Sequence, residues 1–229
     1  MAWDLQNEEE VKEFSDKLGN DYRFGCFNEK KPEECHRLGD FMESVKKDFK
    51  KAANLYRSTC DDYKFSHSCH KYATYSLIGK GSPPDYPKAF EYFKKGCGLD
   101  DAGSCFFAGL MCIYDNENTK IKQDYLQGIG FLNQSCDKGS GNSCHYLSGM
   151  YFMGVPDVLE KNLTSAYDYS NKACDLGNIY ACANLSRMYT KGDGVEKNLE
   201  LANKYNKKVK GMQSEPKCQF KPIEIEREA

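Results

Sequence analysis

Ten of the chain's twelve cysteines fall into five pairs: Cys26/Cys35, Cys60/Cys69, Cys97/Cys105, Cys136/Cys144 and Cys174/Cys182. Their first members lie 34, 37, 39 and 38 residues apart. No other feature restricts the fold so strongly. A period of about 20–50 residues marks a solenoid, in which stacked units of one kind bury a continuous core between neighbours.

The residues around each pair recur too. Three positions after the second cysteine stand Leu38, Tyr72, Ala108, Leu147 and Leu185; one further on stand the small residues Gly39, Ala73, Gly109, Ser148 and Ser186. These spacings put them on one helical face with the cysteine, where a small residue lets a neighbouring helix come close. Eight positions before the first cysteine come Ala52, Ala89, Gly128 and Ala166, and five before it Leu55, Tyr92, Phe131 and Tyr169. That is a second amphipathic helix, ending near its cysteine. Loops rich in glycine and proline separate the two, as in GKGSPPDYP from Gly79 and KGDGVEKN from Lys191.

The expected fold is therefore all-α: an α/α solenoid of about five disulfide-stapled helical-hairpin repeats plus an N-terminal helix. One domain over 1–210 holds a helix at 6–25 and repeats at about 33–60, 67–97, 103–136, 142–174 and 180–210. In the last repeat Lys210 takes the cysteine slot, as suits a terminal unit facing water. Residues 211–229 lose the period and are expected to form a flexible tail.

Each pair joins the end of one hairpin to the start of the next across a short turn. A disulfide is the first reading, stabilising by ~2.7 kcal/mol for so small a ring. Zinc is the main rival, since Cys60, His67, Cys69 and His70 offer four ligands. The pair recurs in four units without the second histidine, which speaks against a metal. There is no Cys-x-x-Cys of the thioredoxin kind. Cys112 and Cys218 stand outside the pairs as candidate free thiols. Cys112 occupies a core slot filled elsewhere by Met42, Ser76, Tyr151 and Tyr189, whereas Cys218 sits in the polar tail and is the better candidate for a reactive thiol.

A net charge of −2 and a pI near 6.1 give no basic field for nucleic acid. The cluster at Lys46, Lys47, Lys50 and Lys51 reads as a solvated helix start. No apolar run reaches the ~18–20 residues of a membrane span. The acidic N-terminus lacks the marks of a secretory signal or an arginine-rich matrix presequence, which suggests cytosol. Dense paired cysteines suggest an oxidising compartment instead.

From Ala173 to Val195 the chain reads A-C-D-x-G-x-x-x-A-C-x-x-L-S-x-M-Y-x-x-G-x-G-V, with degenerate copies from about Cys26 to Lys210. This resembles Sel1-like repeats of the cysteine-stapled kind, an architecture shared by bacterial cysteine-rich repeat proteins. In repeat number, length and acidic start the chain is most similar to a family of mitochondrial assembly factors for cytochrome c oxidase. That resemblance implies an intermembrane-space protein supporting complex IV assembly, with assembly proteins and the oxidative import machinery as partners and no membrane insertion. Entry without a cleaved presequence, followed by trapping through oxidation, would resolve the conflict over compartment. The resemblance further implies haem binding through His and Met, or thiol–disulfide chemistry. His36, His70 and His145 each follow the second cysteine of a repeat, about 100° round the helix from it. They are candidate haem ligands, though a solvated or capping histidine suits that phase better. Met111, Met150 and Met188 share a slot that normally packs as core.

Two Ser-x-x-Lys matches, at Ser44 and Ser135, lack the partner motifs of penicillin-binding enzymes. The glycosylation triplets at Asn133, Asn162 and Asn184 lie in or beside expected helices. Neither catalytic residues nor a metal site emerge. Three functions follow: a non-enzymatic assembly scaffold, a disulfide reductase or haem carrier, and a secretory-pathway adaptor.

Overall fold

The computed structural model describes residues 7–114 and 120–214. Among them run eleven α-helices: α1 (Glu8–Phe27), α2 (Pro32–Ser44), α3 (Phe49–Tyr63), α4 (Ser66–Ile78), α5 (Tyr86–Gly98), α6 (Ala102–Ile113), α7 (Tyr125–Asp137), α8 (Gly141–Met153), α9 (Leu163–Asp175), α10 (Ile179–Lys191) and α11 (Leu199–Ser214). No strand occurs among the described residues; the loop after α8 holds one isolated antiparallel bridge, Val155 to Leu159. The fold is an α/α solenoid of five hairpins behind one N-terminal helix. Its helices divide into two compact units, one ending at Ser143 and the other beginning at Cys144.

A single rule starts the second helix of every hairpin. Asp48, Asp85, Asp124, Asn162 and Asn198 each stand twelve residues before the first cysteine or its substitute Lys210. Each side chain accepts a hydrogen bond from the backbone N–H three residues on, satisfying a donor that helix geometry leaves orphaned. The backbone N–H of the same residue donates back to the first helix, at the carbonyls of Met42, Ser76, Cys112, Tyr151 and Tyr189. One residue thus caps its own helix and ties it to its partner. Asn162, the head of a glycosylation triplet, is one of these caps.

The small residues expected at the hairpin interface meet as their spacing implies. A Cβ on Gly109 would stand 3.1 Å from the Gly128 carbonyl oxygen, and one on Gly39 only 2.5 Å from the Tyr56 ring. Where serine replaces glycine it bonds across the gap: Ser148 Oγ donates to the Ala166 carbonyl and Ser186 Oγ to that of Ala202, both at 2.8 Å.

In the first unit Phe93, Tyr92, Ala73, Ala89 and Ala108 form a buried cluster around Cys60 and Cys69. A smaller one packs Leu38 and Phe41 on Cys26 and Cys35. In the second unit Leu147, Ala166, Leu185 and Met188 are buried with Cys174 and Cys182. α11 continues to Ser214, so 211–214 are helical where the lost period suggested tail. A helix can outlast the stack that its repeat pattern reports.

Candidate functional site

The junctions between hairpins carry the chemistry-bearing residues. At four of them the disulfides Cys26–Cys35, Cys60–Cys69, Cys97–Cys105 and Cys174–Cys182 hold Cα atoms 4.5, 4.8, 4.5 and 4.7 Å apart. Cys136 and Cys144 are disulfide-bonded as well. The turn inside each ring needs one left-handed residue, five positions before the second cysteine. Lys30, Lys64, Asp100, Gly139 and Gly177 fill it, with φ of 55°, 55°, 69°, 90° and 83°. With Cys60 and Cys69 bonded to each other, the zinc set loses both of its thiolates. No group of three or more His, Cys, Asp or Glu among the described residues is arranged to hold a metal ion.

Of the candidate ligands, His36, His70 and His145 are each partly buried. His36 Nδ1 shares a hydrogen bond of 2.9 Å with Ser68 Oγ, on the first helix of the next hairpin. One repeat later His70 Nδ1 meets Ser104 Oγ at 3.1 Å and Asp101 Oδ1 at 3.2 Å. Rings wall each one in: Tyr56 and Phe65 around His36, Phe93 and Phe107 around His70. Burial lowers the His36 pKa although Asp40 pulls it up. Burial would raise Asp101, but bonds from His70 and Ser104 hold it at about 2. His145 occupies the same slot and its Nδ1 is buried without a partner. The serine slot opposite it, one position before the second cysteine, is Ala181. Burial lowers the His145 pKa, and its ring stacks on Tyr180 at 6.1 Å. In these surroundings His36 and His70 pack between repeats. Met188 is buried among core residues.

The opposite flank of the junction bears a polar ladder. Tyr92 Oη donates to Asp61 Oδ2 (2.7 Å) while Lys95 Nζ reaches Asp61 Oδ1 (3.0 Å) and lies 4.0 Å above the Tyr92 ring. These are the positions one after a first cysteine and five and two before the next. The last junction reuses them: Lys208 faces Asp175 at 3.7 Å, and Tyr205 Oη bonds Asn171. A second network surrounds Glu43. Burial would raise its carboxyl, but Lys80 (2.6 Å) and Lys71 (2.9 Å) hold it down to about 2.

Cys112 carries a free, buried thiol. Burial foremost, with Asp124 nearby, pushes it up to about 11, and its Sγ donates to Gln127 Oε1 at 3.3 Å. A thiol so held is a poor nucleophile at neutral pH. Cys218 lies outside the described residues.

The Sel1 repeat model matches residues 34–62, 66–101, 102–140, 141–178 and 179–208. Three curated relatives match along nearly their whole length. A Drosophila melanogaster protein named cytochrome c oxidase assembly factor 7 homolog is 42% identical over 96% of this chain and 95% of its own. The Xenopus tropicalis cytochrome c oxidase assembly factor 7 is 40% identical over 91% of each chain, and the Homo sapiens one 34% identical over 96% of each. Among solved structures, a protective antigen of uropathogenic Escherichia coli with an SLR fold superposes with a TM-score of 0.74 at 20% identity, over 86% of this chain and 40% of that one. A Sel1 repeat protein of Oxalobacter formigenes gives 0.69 at 16% identity, over 80% and 71%. At these identities the two structures establish the fold alone.

Proposed function

The chain belongs to the Sel1 repeat family and, within it, to the cytochrome c oxidase assembly factor 7 family; from that premise we propose that it supports complex IV assembly as a protein-interaction scaffold in the mitochondrial intermembrane space. The observation that carries this reading is the extent of the match. Relatives bearing that name align over nine-tenths or more of both lengths, so the whole stack of repeats is shared.

Joining that role to the cysteines supports this compartment. Every paired cysteine is oxidised, and persistent disulfides need an oxidising space. Within a mitochondrion that space is the one between the membranes. The partners on this reading are complex IV assembly proteins and, at entry, the oxidative import machinery. Scaffolding is favoured over turnover because the junction histidines and Tyr–Asp–Lys sets are engaged with one another and Cys112 is sheathed.

Two measurements test the proposal. A null line should show less assembled complex IV on native gels, restored by the wild-type chain; normal complex IV in a clean null would refute the role. Protease protection of mitochondria and mitoplasts, with thiol alkylation, should find an oxidised protein that becomes accessible once the outer membrane is opened. A protein still shielded in mitoplasts, or one with reduced pairs, would refute the location.

A further inference from the structure

The first hairpin junction breaks the ladder pattern. Where later junctions place Asp61 with Tyr92 and Lys95, or Asp175 with Tyr205 and Lys208, this one has Phe27, Leu55 and Ser58, and the third has Gly98, Phe131 and Gln134. No acid–tyrosine–lysine set closes the flank, and a surface cavity of about 570 Å³ opens there between α1, α2 and α3. Leu38, Met42, Leu55 and Phe27 form its apolar lining, and Phe27 stays 61% exposed. Arg23 on α1 and Arg57 on α3 line the same cavity. Both are exposed, and neither has an ion-pair partner among the described residues, whereas Lys51 at the rim is neutralised by Asp48 at 2.9 Å.

We propose that this groove binds an amphipathic helix of a partner protein, with an apolar stripe in the cavity and acidic side chains on both of its flanks. The charge placement selects this occupant. Two unpaired guanidinium groups, each a planar fork matched to a carboxylate, stand on separate helices beside one apolar floor. A helix carries carboxylates on both sides of an apolar stripe by its own periodicity. A fatty acid brings a single carboxylate to a site that offers two guanidinium groups. The volume falls within the ~300–1,000 Å³ range of binding clefts, and an exposed apolar patch rimmed by polar groups is the usual mark of an interaction surface. The groove arises from slot geometry within the first repeats and is independent of the role in complex IV.

The test uses the full-length oxidised chain and a fluorescein-labelled peptide of about 18 residues, long enough to sustain a helix. The peptide carries a leucine stripe at i, i+3, i+4 and i+7 with flanking glutamates; a twin replaces each glutamate by lysine. Anisotropy should show saturable binding of the acidic helix and none of the basic one. Arg23→Glu with Arg57→Glu should weaken the acidic helix by at least roughly tenfold, as expected for lost charged hydrogen bonds, and should confer binding of the basic twin. Phe27→Ala should weaken the acidic helix with the circular dichroism spectrum unchanged. The proposal fails if the acidic helix binds no better than its twin or if the double reversal leaves its affinity unaltered. It fails equally if only oleate or phosphatidylglycerol vesicles bind, since the groove would then be a lipid site.

Discussion

Ala181→Ser should stabilise the protein, and the structure says by how much. His36 and His70 each place Nδ1 against a serine one repeat on, at 2.9 and 3.1 Å. His145 occupies the same slot, its Nδ1 is buried and unpaired, and the serine position one repeat on holds Ala181. Leaving such a group unsatisfied costs about 1–3 kcal/mol when burial is complete. The imidazole is only half-buried, so restoring the bond should return about 1 kcal/mol, or about 2–4 °C in Tm for a chain of this size. Space is no obstacle in principle: Ser68, Ser104 and Ser143 fill the equivalent slot at 0% exposure. Thermal unfolding of oxidised protein, followed by circular dichroism, measures the gain. A double-mutant cycle with His145→Phe, the ring type that Phe106 supplies in another repeat, isolates the cause. An Ala181→Ser effect that is neutral or unfavourable, or one that persists undiminished without the imidazole, would refute the reasoning.

Three further outcomes are expected. Replacing Cys174 and Cys182 by serine opens a ring with a sequence separation of 8 and should lower unfolding stability by ~2.5 kcal/mol; denaturant melts showing no loss would mean that the bond adds nothing to packing. Lys64 holds φ at 55°, where a Cβ is strained, so Lys64→Gly should raise stability by about 0.5–1 kcal/mol, and a lower Tm would contradict it. Glu43 has its carboxyl held at about 2 in the folded state against an ordinary 4.5, so its contribution is complete above pH 4.5 and fades as pH falls toward 2. The stability difference between wild type and Glu43→Gln should shrink over that window, from on the order of 2 kcal/mol after allowance for partial exposure. A difference constant with pH would exclude the ion-pair account.

What was legible in the sequence was whatever recurs within one hairpin. The cysteine period, the pairing of Gly109 with Gly128, and that of Ser148 with Ala166, all follow from counting along two helices. The capping residue twelve before the cysteine is equally countable, from Asp48 to Asn198. It does not stand out, because an Asp or Asn among the polar residues of a loop looks like any other. Contacts between hairpins were not legible. A helical wheel puts His36 on the flank of its own helix but is blind to Ser68, supplied 32 residues later by another one. The left-handed turn was hidden too, because Gly139 and Gly177 announce it and Lys30, Lys64 and Asp100 do not.

The location of the bonds should make oxidation matter to this chain more than their modest individual strength suggests. Within a hairpin the two helices are already tied by the cap residue's backbone bond, as Asp85 N–H to the Ser76 carbonyl, and by small residues in close contact. Every disulfide described above lies instead between successive units, Cys26–Cys35 between α1 and the first hairpin and the others between one hairpin and the next. The other links at those junctions are few: a His–Ser bond on one flank and a Tyr–Asp–Lys set on the other. The Tyr–Asp–Lys set is missing where Phe27 or Gly98 stands, and the His–Ser bond where Phe106 or Ala181 stands. In a solenoid, stability is a sum of unit and interface terms, and a unit alone cannot bury its face. Reduction therefore removes the strongest tie from the weakest places, and the stack should lose cooperativity at its junctions before any hairpin unravels. A chain built in this way should fold fully only where its cysteines can be oxidised, so complete folding and an oxidising environment should go together.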